Sequence, residues 1–352
     1  MKKTAATLFL TILLFAGINL KAQNLPPQMH LSADGHQLIT GDQAPTGLYD
    51  SSIIRTIYLD FPQSNYWTLL TNNYQSKTDL PAKMTVDGVV YDSVGVRFKG
   101  QTSYFMALNS QKKSFNLTVD YIHPDQKLMG YKTLNLNNSF QDPSFLREVF
   151  YQHQIRRHIP AAKSNFVKLY LNGQYWGIYP NVQQLNKDFL KEWFFSADGI
   201  NWRADKSSGT TGGGPGGGGP GWGDGTAGLN YLGTDTAQYQ KYYTLKSSDQ
   251  DQPWDYLVAT CKALNTTPIA ELPDVLPDYL DIDRTLWHLA SEIAFSDDDS
   301  YVYKGKMDYY VYYEPETGRM TPLEYDGNSA MEANFANWGA FYNETKVNYP
   351  LL

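Results

Sequence analysis

Apolar and polar residues alternate through residues 53–61 (IIRTIYLDF) and again through 84–98, where Asp87-Gly88 interrupts the alternation. A period of two sends successive side chains to opposite faces of an extended chain, so both stretches are predicted strands, and Asp-Gly is suited to the tight turn of a hairpin. Residues 114–121 and 133–136 add two strands, and 166–182 (FVKLYLNGQYWGIYPNV) reads as a second hairpin turning at Asn172-Gly173. The period then changes. In 142–160 (DPSFLREVFYQHQIRRHIP) apolar residues fall at 145, 146, 149 and 150, which predicts a helix with Asp142 as N-cap, Pro143 at its first position and Pro160 beyond its basic end. Residues 252–264 and 283–294 also carry helical patterning. The last patterned stretch, 297–331, runs acid, strand, turn, strand, acid: Asp299, the alternating DYYVYYE from Asp308, a PETG turn, a return strand over 320–325, and Asp326. Such a hairpin can bring Asp299 and Asp326 to one point, beside a divalent metal.

The pattern therefore predicts an α+β protein with two lobes, β-rich over 23–206 and mainly helical with the acidic hairpin over 234–352. Between them, 207–233 holds 13 of the 28 glycines and is expected to be a flexible insertion. A phosphate-cradling loop needs a short glycine turn running into a helix with Lys or a hydroxyl at fixed spacing, and this tract has neither. Residues 1–22, with Lys2, Lys3, an apolar run and Ala22, read as a secretory signal peptide, so the protein is expected to be exported to the periplasm, cell surface or medium. Loss of that segment makes a chain of net charge −7 more acidic still, which argues against nucleic acid as a partner. The single Cys261 cannot form an internal disulfide, and no later apolar run is long enough to span a membrane. The 27 tyrosines and 8 tryptophans are compatible with an ordinary aromatic-rich β surface or with a face for glycan or another cell-surface partner. The apolar NYPLL ending leads us to expect that further helices belong after it.

Several motifs, in order, resemble the secreted kinases related to spore coat protein H, the CotH family: GVRFKGQTS (95–103), KKSF (112–115), LNLNNSFQDPSFLRE (134–148), LYLNGQYWGIY (169–179) and DYYVYYEPETGRMTPLEYDGN (308–328). The resemblance implies an atypical protein-kinase-like two-lobed fold that uses ATP with Mg²⁺ or Mn²⁺ and transfers the γ-phosphoryl group to a Ser or Thr hydroxyl of a protein substrate. It places Asp299 at the base position, Asp308 where the family usually has a metal-binding Asn, and Asp326 at the metal-binding Asp. Tyr325-Asp326-Gly327-Asn328 stands where the family has Trp-Asp-x-Asp, so Asn328 offers a neutral ligand oxygen. Gln183 and Asn186 stand where many members carry Glu and Asp.

The residue chemistry suits those roles independently, because phosphoryl transfer needs cations on the phosphates, a carboxylate on the metal and a base near the hydroxyl. Arg97, Lys99 and Lys113, on or beside first-lobe strands, are the candidate nucleotide-binding cations, and Glu148 is the candidate partner of one of the lysines. Each has a plainer reading. Arg97 and Lys99 alternate as a solvated strand face would, an acid early in a helix is favoured by the macrodipole, residues 297–299 suit an exposed loop or a calcium site, and Asp326 before Gly327 suits a turn. Two other functions are also open: a non-catalytic surface or coat protein that binds through the same fold, and a glycoside hydrolase using Asp299 and Asp326 as paired carboxylates.

Overall fold

The computed structural model describes residues 26–31, 38–40, 45–107, 110–205, 226–297, 299–302, 307–331 and 350–351. The expected signal peptide, most of the glycine tract, Asp298 and the segment before NYPLL lie outside these residues.

A short hairpin, β1 (Met29–Leu31) with β2 (Leu38–Thr40), precedes a closed seven-stranded barrel. The barrel strands are β3 (Arg55–Asp60), β4 (Leu80–Val86), β5 (Val89–Lys99), β6 (Ser114–Thr118), β7 (Thr133–Leu136), β8 (Ser164–Leu171) and β9 (Gln174–Val182). They run in the order β3-β4-β5-β6-β7-β9-β8, and a parallel β3–β8 pairing closes the ring. Closure leaves no unpaired edge, and alternate side chains point inward. Ile57, Leu59, Met84, Val94, Val96, Phe115, Leu117, Leu134, Leu136, Val167 and Leu169 fill the interior. Both predicted turns form: Asp87 and Gly88 have φ of 51° and 79°, Asn172 and Gly173 of 46° and 78°, the paired positive values a two-residue hairpin turn requires.

The helix expected from Pro143 starts later, at Arg147, and runs to Ile155. Asp142 still satisfies backbone donors, but as a turn. Its Oδ1 accepts from Ser144 N at 3.0 Å and its Oδ2 from Arg147 N at 2.9 Å. Phe145, with φ of 64°, lies in the left-handed region and breaks any helix through it. The Arg147–Ile155 helix packs against β8 and β9.

A second sheet has the order β11-β10-β12-β13, with β10 at Ile200–Ala204, β11 at Thr244–Ser248, β12 at Tyr309–Glu314 and β13 at Arg319–Leu323. The chain thus enters the second sheet at β10, before the glycine tract. The far end of that tract is anchored there: Tyr243 donates its hydroxyl to the Ala227 carbonyl at 2.5 Å, and Ala227 and Leu229 are buried. The helices Pro253–Thr266 and Ile282–Ala294 supply the other side of a second apolar cluster built on Trp202, Leu257, Cys261, Leu289 and Val311. Among the described residues no helix is long and apolar enough to cross a membrane.

Candidate functional site

Strand β5 carries Lys99 at its last position, where the barrel meets the second sheet. Lys99 Nζ donates to Asn137 Oδ1 at 3.0 Å, and Asn137 Nδ2 donates to Glu148 Oε1 at 2.6 Å. Lysine and helix glutamate are therefore joined through an amide. Asn137 follows β7 directly and Glu148 lies in the first turn of the Arg147–Ile155 helix, so β5, the end of β7 and the helix converge on one bridge. Burial pushes the Lys99 ammonium below its ordinary value, opposed by the nearby Glu148 and Asp326 carboxylates. Burial, then the Asp326 charge, pushes Glu148 up to about 8. Removal from water disfavours each charged form, and the two partly rescue one another. Glu148 is 2% exposed, and its Oε2 has no hydrogen-bond partner.

Lys99, Asn137, Glu148, Gln183, Tyr325 and Asp326 line one recess of about 30 Å³. That volume admits a water or a bare cation, not a nucleobase.

The other sequence-predicted cations are engaged elsewhere. Arg97 Nη1 donates to Asp79 Oδ1 at 2.7 Å, and Thr118 Oγ1 donates to Asp79 Oδ2 at 3.0 Å. Lys113, buried, donates to the carbonyls of Tyr104 at 3.1 Å and Ala107 at 2.5 Å, closing the C-terminal end of the short Thr102–Met106 helix. Neither side chain lines the recess.

The acidic hairpin forms as β12 and β13. Tyr310 pairs with Leu323, a register that sets Asp308 and Asp326 at the same open end. Both have left-handed backbones, φ of 63° and 67°, a conformation Asp tolerates better than most residues. Asp308 Oδ1 accepts from Arg203 Nη2 at 2.7 Å, and the Arg203 guanidinium lies over the Tyr325 ring at 4.2 Å. Asp326 Oδ1 accepts from Gly327 N at 3.0 Å and Asn328 N at 3.4 Å. Turned to present its nitrogen, the Asn328 side chain donates to the two Asp326 oxygens at 3.2 and 2.5 Å; turned the other way it presents a third oxygen. Gly327 is required here by close approach: a Cβ would stand 2.5 Å from Tyr151 Cδ1.

Asp299 lies in a separate loop outside the recess lining. That loop is held by acids: Asp299 N donates to Asp297 Oδ1 at 3.3 Å, and Glu292 accepts Tyr301 N at 3.1 Å and Val302 N at 2.8 Å on its two oxygens. The sequence reading missed Asn137, Arg203, Glu292 and His288. Asn137 sits inside the 134–148 motif, and His288 and Glu292 have the i, i+4 spacing that puts two side chains on one helix face. Arg203 has no local signal, because its partners arrive from residues 308 and 325.

For a hard divalent cation the recess offers suitable donors in the Asp326 carboxylate and the buried, unsatisfied Oε2 of Glu148. The set also leaves Lys99 beside that position as a point charge. No curated protein matches the chain. A family model described as CotH kinase protein matches residues 96–348, a span that contains Lys99, Asn137, Glu148, Asp299, Asp308 and Asp326. The chain belongs to the CotH kinase family.

Proposed function

We propose that this protein is an exported protein kinase that transfers the γ-phosphoryl group of ATP to Ser or Thr hydroxyls of surface or secreted proteins, with a two-lobed kinase-like arrangement of barrel and second sheet. The observation that carries this reading is the convergence of Lys99, Asn137, Glu148 and Asp326 on one recess. A lysine oriented by a helix glutamate, facing a metal-binding aspartate, is the arrangement phosphoryl transfer asks for.

Lys99 neutralises phosphate oxygen, and Asn137 and Glu148 hold its ammonium in place. Asp326, with Asn328 and Glu148 beside it, would hold Mg²⁺ or Mn²⁺, which when bound would supply positive charge to the phosphates. Asp299 takes the proton from the acceptor hydroxyl as its oxygen bonds to the γ-phosphorus and ADP departs. Asp308 acts through Arg203, which it pins against Tyr325 next to Asp326.

The test is incubation of the purified protein with γ-labelled ATP and Mg²⁺ or Mn²⁺, scoring label on itself and on a serine-rich acceptor, beside Asp299→Ala and Asp326→Ala. The expected result is metal-dependent label that both substitutions abolish. Absence of label together with absence of calorimetric heat for ATP would overturn the reading in favour of a non-catalytic binding protein.

A further inference from the structure

Behind the Asp326 turn, His288, Glu292 and Glu324 meet in the interior, at 0%, 0% and 1% exposure. His288 and Glu292 lie four residues apart on the Ile282–Ala294 helix, and Glu324 follows β13 directly. His288 Nε2 is 3.1 Å from Glu292 Oε1, and His288 Nδ1 is 3.5 Å from Glu324 Oε2. One ligand atom from each of the three residues lies within 4.8 Å of the other two.

Two observations ask for a ligand. The nitrogens of His288 are close to carboxylates, yet neither makes a hydrogen bond of acceptable geometry, and the Glu324 carboxylate, which the Tyr151 hydroxyl approaches, leaves Oε2 without one as well. Two carboxylates share the space with one imidazole, so even an imidazolium leaves a net negative charge on side chains that are fully buried. Both oxygens of Glu292 are meanwhile fixed by the Tyr301 and Val302 amides, as the outer hydrogen bonds of a ligating carboxylate commonly are.

We propose that His288, Glu292 and Glu324 form a buried site for one divalent cation of the zinc or manganese class. One nitrogen and two carboxylates favour such an ion over Mg²⁺ or Ca²⁺, which prefer oxygen alone. The enclosure makes the role structural. The ion ties the loop that carries Asp299, through Glu292, to the strand end that carries Asp326, through Glu324. The proposal does not depend on phosphoryl transfer, because the site stands apart from the Lys99 recess in every ligand except the shared wall at Glu324.

Elemental analysis of the dialysed full chain, before and after incubation with one equivalent of Zn²⁺, an ion the Asp326 site is not proposed to hold, tests it alongside His288→Ala, Glu324→Gln and Asp326→Ala. The expected result is close to one equivalent of metal in the wild type and in Asp326→Ala. In His288→Ala and Glu324→Gln the loss exceeds the ~10–100-fold weakening typical of losing an outer partner. With Co²⁺ in place of the native ion, the visible d–d bands should change in Glu324→Gln, which serves if His288→Ala does not fold. A folded wild type that holds no metal and gains no melting temperature from Zn²⁺ or Mn²⁺ would overturn the proposal, leaving an imidazolium ion-paired to both carboxylates. So would metal lost from Asp326→Ala but kept in His288→Ala.

Discussion

Glu148 shows how much a single side chain depends on what surrounds it. Its carboxyl is raised from the ordinary 4.5 to about 8 by burial and by Asp326, with Lys99 and the Asn137 amide pulling the other way. An acid raised on folding binds more protons in the folded than in the unfolded chain between those two values. Its contribution to stability is therefore lost progressively as pH rises from about 4.5 to about 8, and the penalty is complete above that window. Glu148→Gln keeps an oxygen for Asn137 and cannot ionise. Its stability relative to wild type should rise across the window and level off above it, by on the order of a few kcal/mol. Urea unfolding midpoints at a series of pH values check this; a difference independent of pH would mean that Glu148 titrates at its ordinary value.

At the scale of elements, two turns do the positioning. Asp142 holds the turn before the Arg147–Ile155 helix, is 3% exposed, and accepts from Ser144 and Arg147. Asp142→Ala removes the acceptor those two backbone donors share and should cost about 0.5–2 kcal/mol, read as a drop in thermal midpoint, with Glu148 displaced because it sits one residue into the helix. The second turn is Asp326-Gly327-Asn328. A methyl group at Gly327 meets Tyr151, itself fully buried and in edge contact with Phe295 at 5.3 Å. Gly327→Ala should cost about 1–3 kcal/mol through overpacking, and because the turn shifts, calorimetry should find metal-dependent nucleotide binding weakened more than stability. Equal binding by the variant and wild type would show that the turn absorbs the methyl without moving Asp326.

For the whole molecule, the barrel interior and the second-sheet interior are separate apolar clusters, and the candidate site is built where the last residue of β5 faces the open end of the β12–β13 hairpin. Leu117→Ala in the barrel and Leu257→Ala beneath the second sheet should each cost about 2–5 kcal/mol. The double variant should equal the two effects combined to within ~0.5 kcal/mol, because the clusters share no residue. Denaturant unfolding of the four proteins measures this. A large interaction energy would mean that the two interiors communicate through the site between them.

Local signals carried a good part of this. The period of two and the Asp87-Gly88 and Asn172-Gly173 pairs determined strands and hairpins, since side-chain alternation and positive φ are set by neighbours in the chain. The same locality misled at Pro143, where the left-handed Phe145 delays the helix. Lys99, Glu148 and Asp326 were legible as chemistry, because lysine and carboxylates in those motifs have few other uses. Their meeting was not legible, nor was the Asn137 bridge, because strand order β7-β9-β8 and barrel closure decide which chain ends face one another. Arg97 and Lys113 had the same sequence signal as Lys99. Only the tertiary structure gave them other partners, Asp79 and the Thr102–Met106 helix end, because a charge drawn partly or wholly out of water takes the nearest opposite charge or carbonyl that packing supplies.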